Sequence, residues 1–193
     1  MATEFHYLFG KNPVREVLLS LPNLVKTVHL APDFGDDALL TVIKDTRVAR
    51  ASFDPKKLPH GITYDAVHQG IIAQVALEDL LVPYDDFIAQ LSITDNTALV
   101  LLGEVQDPQN VGSIIRSAAA FGIAGILMPA HRQASLSGSV VKVSAGMVFR
   151  IPLVTIGNVT TTLEDLKKRG FWTYGLDQGA SQSVYDEGFE KAS

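Results

Sequence analysis

Apolar residues recur at helical spacing at Val14, Val17, Leu18 and Leu21, directly after Asn12 and Pro13, a pair that reads as an N-cap followed by proline at the first helical position. Beyond Pro22 the pattern changes: Val25 to Ala31 has strand character, Asp36 to Asp45 predicts a second helix, and Val48 to Ser52 a short strand. His68, Gln69 and Gly70 then lead into IIAQVAL, a run of apolar and β-branched residues that predicts another strand. The acidic, proline-bearing stretch EDLLVPYDD closes this unit, and a first domain is expected over residues 1–79.

A connecting segment over 80–96, with a helix around Asp85 to Leu91, leads to a second domain at 97–193. ALVLLGEV is a continuous apolar run of the kind that fills a buried parallel strand. Alternation follows: a helix from Val111 to Phe121, strand GILMP, a helix across Ser137 to Met147, strand IPLVTI, a helix from Thr161 to Arg169, and strand FWTYGL. Strands separated by helices imply right-handed crossovers and a parallel sheet, with a ligand expected beyond the carboxyl ends of the strands. The fold class is therefore α/β throughout.

Composition narrows the function classes. The chain has 193 residues, 47% of them hydrophobic, and no apolar run long enough to span a bilayer. The opening MATEFHYLFGKNP lacks the charged start and apolar centre of a signal peptide, so a cytoplasmic location is expected. Cysteine is absent and the five histidines are scattered, which removes disulfides and thiolate sites and leaves no metal-ligand spacing. The net charge of −5 argues against a uniformly basic nucleic-acid binder, although a local cluster of cations suffices to meet phosphates.

Residues 104–122, EVQDPQNVGSIIRSAAAFG, sit where a strand hands over to a helix and carry the chemistry. Val111, Ile114, Ile115, Ala118 and Phe121 form one packing stripe, which leaves Asn110, Gly112 and Arg116 to be explained. Asn110 is placed to cap the helix, and Gly112 permits close approach of a backbone or a phosphate. Arg116 is either a solvated surface residue or a planar guanidinium able to clamp a phosphate. Elsewhere, Lys11, Asn12 and Arg15 are either phosphate contacts or a solvated helix face. His68 and Gln69 either read single-stranded or looped RNA or serve to cap or stabilise a turn, and the Lys56 and Lys57 pair is equally open. No G-x-G-x-x-G follows the first strand of the second domain, so the parallel sheet alone does not support a dinucleotide enzyme.

DPQNVGSIIRSAAAFG resembles the first signature of the SpoU class of knotted, S-adenosylmethionine-dependent RNA 2'-O-ribose methyltransferases. SLSGSVVKVSAGMVFRIPLV, residues 135–154, is similar to the Lys-x-Ser-x-Gly helix and Ile-Pro strand of that family. FGKNPVREVL and HQGIIAQV are similar to the two ends of a ribosomal-protein-like RNA-binding domain found in some members. The resemblance implies a small α/β RNA-binding domain followed by a knot-type methyltransferase domain. It also implies S-adenosylmethionine as cofactor without a metal, a ribosomal RNA substrate modified at a guanosine of the large subunit, and a homodimer. By the same resemblance, Asn110 and Arg116 take the catalytic positions, and Ser144 joins Lys11, Asn12, Arg15, His68 and Gln69 as expected RNA contacts.

Two later signatures of the family, a Gly-Ser-Glu-Gly loop and an Ile-Pro segment leading into a Ser-Leu-Asn helix, do not occur in these residues. The expectation is a chain truncated before the knot, lacking most of the cofactor pocket and inactive by itself, with the cofactor-binding residues left unassigned. The competing expectations are a non-catalytic RNA-binding module and a methyltransferase acting on transfer RNA.

Overall fold

The computed structural model describes residues 5–59, 62, 67–131, 133–177, 179–189 and 191–193. Two four-stranded sheets organise them. The first contains β1 (His6–Phe9), β2 (Val25–Leu30), β3 (Ala49–Ser52) and β4 (Ile71–Val75), in the order β1-β4-β2-β3. β4 is antiparallel to both β1 and β2, and β3 is parallel to β2. Helices α1 (Lys11–Ser20) and α2 (Asp37–Asp45) bury Val14, Val17, Leu18, Leu39 and Ile43. The other side of this sheet is covered by Phe53 and Ile62 packed with Ala31 and Ile72.

The second sheet is entirely parallel, with β5 (Leu81–Pro83), β6 (Leu99–Leu101), β7 (Gly125–Pro129) and β8 (Leu153–Ile156) in the order β5-β8-β7-β6. Helices α4 (Pro108–Ala120) and α5 (Gly138–Val143) belong to one core, while α3 (Tyr84–Gln90) and α6 (Val159–Lys168) bury Phe87, Ile88 and Leu166 in another. Burial on both faces is why β7 reads as an unbroken apolar run: Ile126 and Met128 face one cluster and Leu127 the other.

Several elements differ from the sequence reading. β1 was not expected at all, and residues 81–83, read as part of a connection, pair with β8 instead. The strand expected at FWTYGL does not form; Phe171 packs into the core, but residues 171–177 have no ladder of their own. The helix expected across Ser137 to Met147 ends at Val143, because Ala145 and Gly146 adopt positive φ before a short 3-10 turn at Met147–Phe149. Phe121 does not join the packing stripe of α4; it is 85% exposed, beyond the last helical residue.

A single cluster of buried side chains runs from α1 and the first sheet through α4, α5 and β7. Gly112 sits where α4 meets α5, and a Cβ there would lie 2.7 Å from Val143 Cβ. The glycine is thus explained by helix packing. Gly112→Ala is expected to destabilise the fold by about 1–3 kcal/mol through overpacking, and adding Val143→Ala to relieve little of that loss, because the Val143 Cβ at 2.7 Å and the Val140 carbonyl at 3.1 Å both remain. Urea denaturation of the two variants checks both halves.

Candidate functional site

The first cluster of candidate residues lies at the start of α1. Gly10 precedes the helix at φ 93°, a conformation suited to glycine, and has no side chain with which to cap it. The cap comes from a distant turn: Lys11 N–H donates to Gln69 Oε1 at 2.8 Å. Asn12 is therefore inside the first turn, not the N-cap, and Pro13 is tolerated because the first four N–H groups of a helix have no intrahelical partner. Gln69 has φ 50°, and the turn around it is held by Gly70 N–H donating to His68 Nδ1 at 3.0 Å. Turn stabilisation is thus an observed role of His68, and capping of α1 an observed role of Gln69.

The two cations of α1 share one carboxylate. Lys11 Nζ lies 3.2 Å and Arg15 Nη2 3.5 Å from Asp36 Oδ2. Asp36 also caps α2, accepting from Leu39 N–H at 3.0 Å. The Leu39 N–H, followed by Lys11, holds the Asp36 carboxyl below the usual carboxylate range.

The second cluster is on α5 and the turn after it. Lys142 is exposed, but Ser144 is 0% exposed and its hydroxyl donates to Val141 O at 3.1 Å. Ser144 is a packing residue that does not reach the surface, contrary to its expected RNA contact. α1 and α5 face each other across a cavity of about 510 Å³, whose lining includes Asn12, Gln69 and Lys142. Glu16 and Gly146 close one part of it, and Glu16 accepts a two-pronged bond from Arg150, Nη2 at 2.7 Å and Nε at 3.2 Å. Asn12, Gln69 and Lys142 are far apart in sequence; the joint between the sheets brings them together.

The third cluster is α4. Asp107 is its N-cap and accepts from Gln109 N–H at 2.9 Å, so Asn110 is the third helical residue and not the cap. The reason is local: Pro108 occupies the first helical position, and the residue before a proline favours the extended backbone an N-cap needs. Arg116 is exposed and has no ion pair among the described residues. Asn110 and Arg116 are separated by about 240° around the helix and about 9 Å along it, so the fold presents them on different faces.

Beyond the carboxyl ends of the second sheet lies a cavity of about 280 Å³ lined by Glu104, Pro129, His131, Gly157, Asn158, Val159 and Thr160. It is just below the ~300–1,000 Å³ common for small-molecule and cofactor pockets, and among the described residues the His131 imidazole is its one aromatic ring. Among the described residues, no group of three or more His, Asp or Glu could hold a metal, and no helix is long and apolar enough to cross a membrane.

Residues 97–193 match the family model described as the SpoU rRNA Methylase family. The TrmH family protein YacO of Bacillus subtilis (strain 168) is 33% identical over 184 residues, which cover 94% of this chain and 73% of YacO. The 23S rRNA (guanosine-2'-O-)-methyltransferase RlmB of Vibrio parahaemolyticus is 31% identical over 189 residues, covering 96% of this chain and 74% of that protein. Among solved structures, the SpoU methyltransferase AviRb from Streptomyces viridochromogenes matches with a TM-score of 0.74 at 21% identity, covering 97% of this chain and 70% of AviRb. AviRb in complex with the cofactor AdoMet gives the same TM-score at 23% identity. At these identities the structural likeness speaks for the fold.

The Asp36 linkage gives a pH dependence. A carboxyl whose pKa is lowered on folding stabilises the native state above its unfolded value of 3.8, and that contribution is lost as pH falls through the folded value. Asparagine keeps the helix cap but removes the charge. The stability advantage of the native chain over Asp36→Asn is therefore expected to be constant from about pH 5 to 7 and to shrink as pH falls below about 4, measured by thermal melts across that range.

Proposed function

Because the chain belongs to the SpoU rRNA methylase family, whose members are S-adenosylmethionine-dependent RNA methyltransferases, we propose that it serves transfer of a methyl group to the ribose 2'-hydroxyl of a guanosine in large-subunit ribosomal RNA. The observation that carries the RNA side of this reading is the composite cavity between α1 and α5, a mostly apolar hollow with Asn12 and Gln69 on one wall and Lys142 on the other. The choice of guanosine rests on the similarity to RlmB, and the two-part organisation at 1–79 and 97–193 is part of the same proposal.

In this reading Lys11 and Arg15 offer charge to phosphates beside the cavity, restrained by Asp36, while Asn12, Gln69 and Lys142 line the cavity itself. His68 fixes the turn that presents Gln69. S-adenosylmethionine, when bound, supplies an electrophilic methyl group on a sulfonium. Asn110 shapes the approach to the site. A guanidinium offers donors and no acceptor, so the role of Arg116 is to grip a phosphate and favour the developing alkoxide electrostatically rather than to accept the proton. The cavity at the strand ends does not enclose a ligand of the cofactor's size, so no step is drawn through these residues to a bound cofactor.

That geometry favours RNA binding as the activity these residues perform by themselves. Calorimetry of the 193-residue chain with S-adenosylmethionine is expected to show no saturable binding below about 1 mM; a clear isotherm would show that the strand-end cavity completes itself around the cofactor. Arg116→Ala is expected to weaken binding of a large-subunit ribosomal RNA hairpin about 3- to 10-fold and to lower the salt slope by about 0.7–0.9. Fluorescence anisotropy across a salt series measures both, and a parallel series with transfer RNA decides between the two substrates. Unchanged affinity and slope remove Arg116 from the RNA interface.

A further inference from the structure

Between β6 and α4 the chain makes a turn that its own backbone does not fully hold. Leu102 N–H donates to Leu127 O at 3.0 Å, the last rung between β6 and β7. Glu104 then adopts φ 56°, a left-handed conformation uncommon for a residue with a side chain. The next residue, Val105, is bonded as a strand residue would be, but its partner is a side chain. Val105 N–H donates to Gln133 Oε1 at 3.1 Å, and Gln133 Nε2 donates to Val105 O at 2.7 Å. Ala134 N–H donates to the same carbonyl at 3.0 Å. Two residues later Asp107 caps α4.

A carboxamide suits this place because it offers one acceptor and one donor side by side, matching the C=O and N–H of a single backbone residue. Glutamate would set an oxygen against the Val105 carbonyl, and asparagine falls one methylene short. We infer that Gln133 is a positioning residue that locks loop 103–107 in its strained turn and thereby sets the entry of α4, which carries Asn110 and Arg116. The functional consequence rests on the reading of α4 as RNA-facing; the clamp itself does not.

Two measurements separate these claims. Amide hydrogen exchange at Val105 is expected to accelerate at least about tenfold in Gln133→Ala and Gln133→Glu, with the change confined to residues near 103–112 and the exchange of β7 and β8 unaltered. Unchanged exchange at Val105 overturns the inference, as does a loss of protection spread through the whole sheet, which marks a general stability effect. The second measurement is a double-mutant cycle on RNA affinity. If Gln133 aims Arg116, the loss caused by Arg116→Ala shrinks toward nothing in the Gln133→Glu background, and Gln133→Asn retains more of it than Gln133→Ala does. An Arg116→Ala effect of equal size in both backgrounds overturns the positioning role. If Arg116→Ala has no effect even beside native Gln133, the functional reading of α4 fails, and the exchange data still decide the clamp.

Discussion

Helix α5 is the wedge on which both sheets close, and three close glycine contacts lie around it, to a side chain of α5, to the backbone of β1 and to a side chain of α1. A Cβ at Gly112 of α4 would lie 2.7 Å from Val143, one at Gly138 would lie 3.1 Å from the Tyr7 carbonyl of β1, and one at Gly146 would lie 3.0 Å from Glu16 of α1. A short helix gripped on three sides cannot shift without opening the core that continues through all of them. The orientation of the first sheet relative to the second follows from this packing, and so does the composite cavity between α1 and α5. Arg150 adds an ion pair at the same joint, with Nε and Nη2 both donating to Glu16 Oε2, but that pair is solvent-exposed and secondary to the buried contacts.

The electrostatics are arranged locally. A chain of net charge −5 meets a polyanion only if cations are gathered where they are needed; the fold sets Lys11 and Arg15 together on Asp36 and places Lys142 on the wall of the cavity between α1 and α5. Asp36 tempers two of them while capping α2, so one carboxylate links helix stability to the charge of the surface. Arg116 stands apart, without an ion pair among the described residues, on the helix whose first turn is fixed by Asp107 and by the clamp on Val105. A permanently charged guanidinium held at the surface suits phosphate recognition and transition-state electrostatics better than proton removal.

Local signals were legible where the chemistry is local. The apolar runs at β7 and β8 reported strands buried on both faces, whereas β6, with the same kind of run, is a half-buried edge strand; the spacing of Val111, Ile115 and Ala118 reported the buried face of α4. Prolines were read less well. Both Asn-Pro at 12–13 and the Pro-Gln-Asn run at 108–110 suggested asparagine caps, yet α1 is capped by Gln69 and α4 by Asp107. In α4 the correct cap was visible, being the residue before the proline. In α1 it was not, because the capping oxygen comes from 58 residues away.

The sequence by itself determined the family and the alternation of strands and helices, because periodicity and signature residues are written in neighbouring positions. Tertiary structure alone decided the rest. It paired β5 with β8, left residues 171–177 outside the sheet, buried Ser144, assigned Gly112 to helix packing, and joined Gln133 to Val105. Each of those outcomes depends on which backbone or side chain arrives from a distant part of the chain, and no local pattern encodes the identity of that partner.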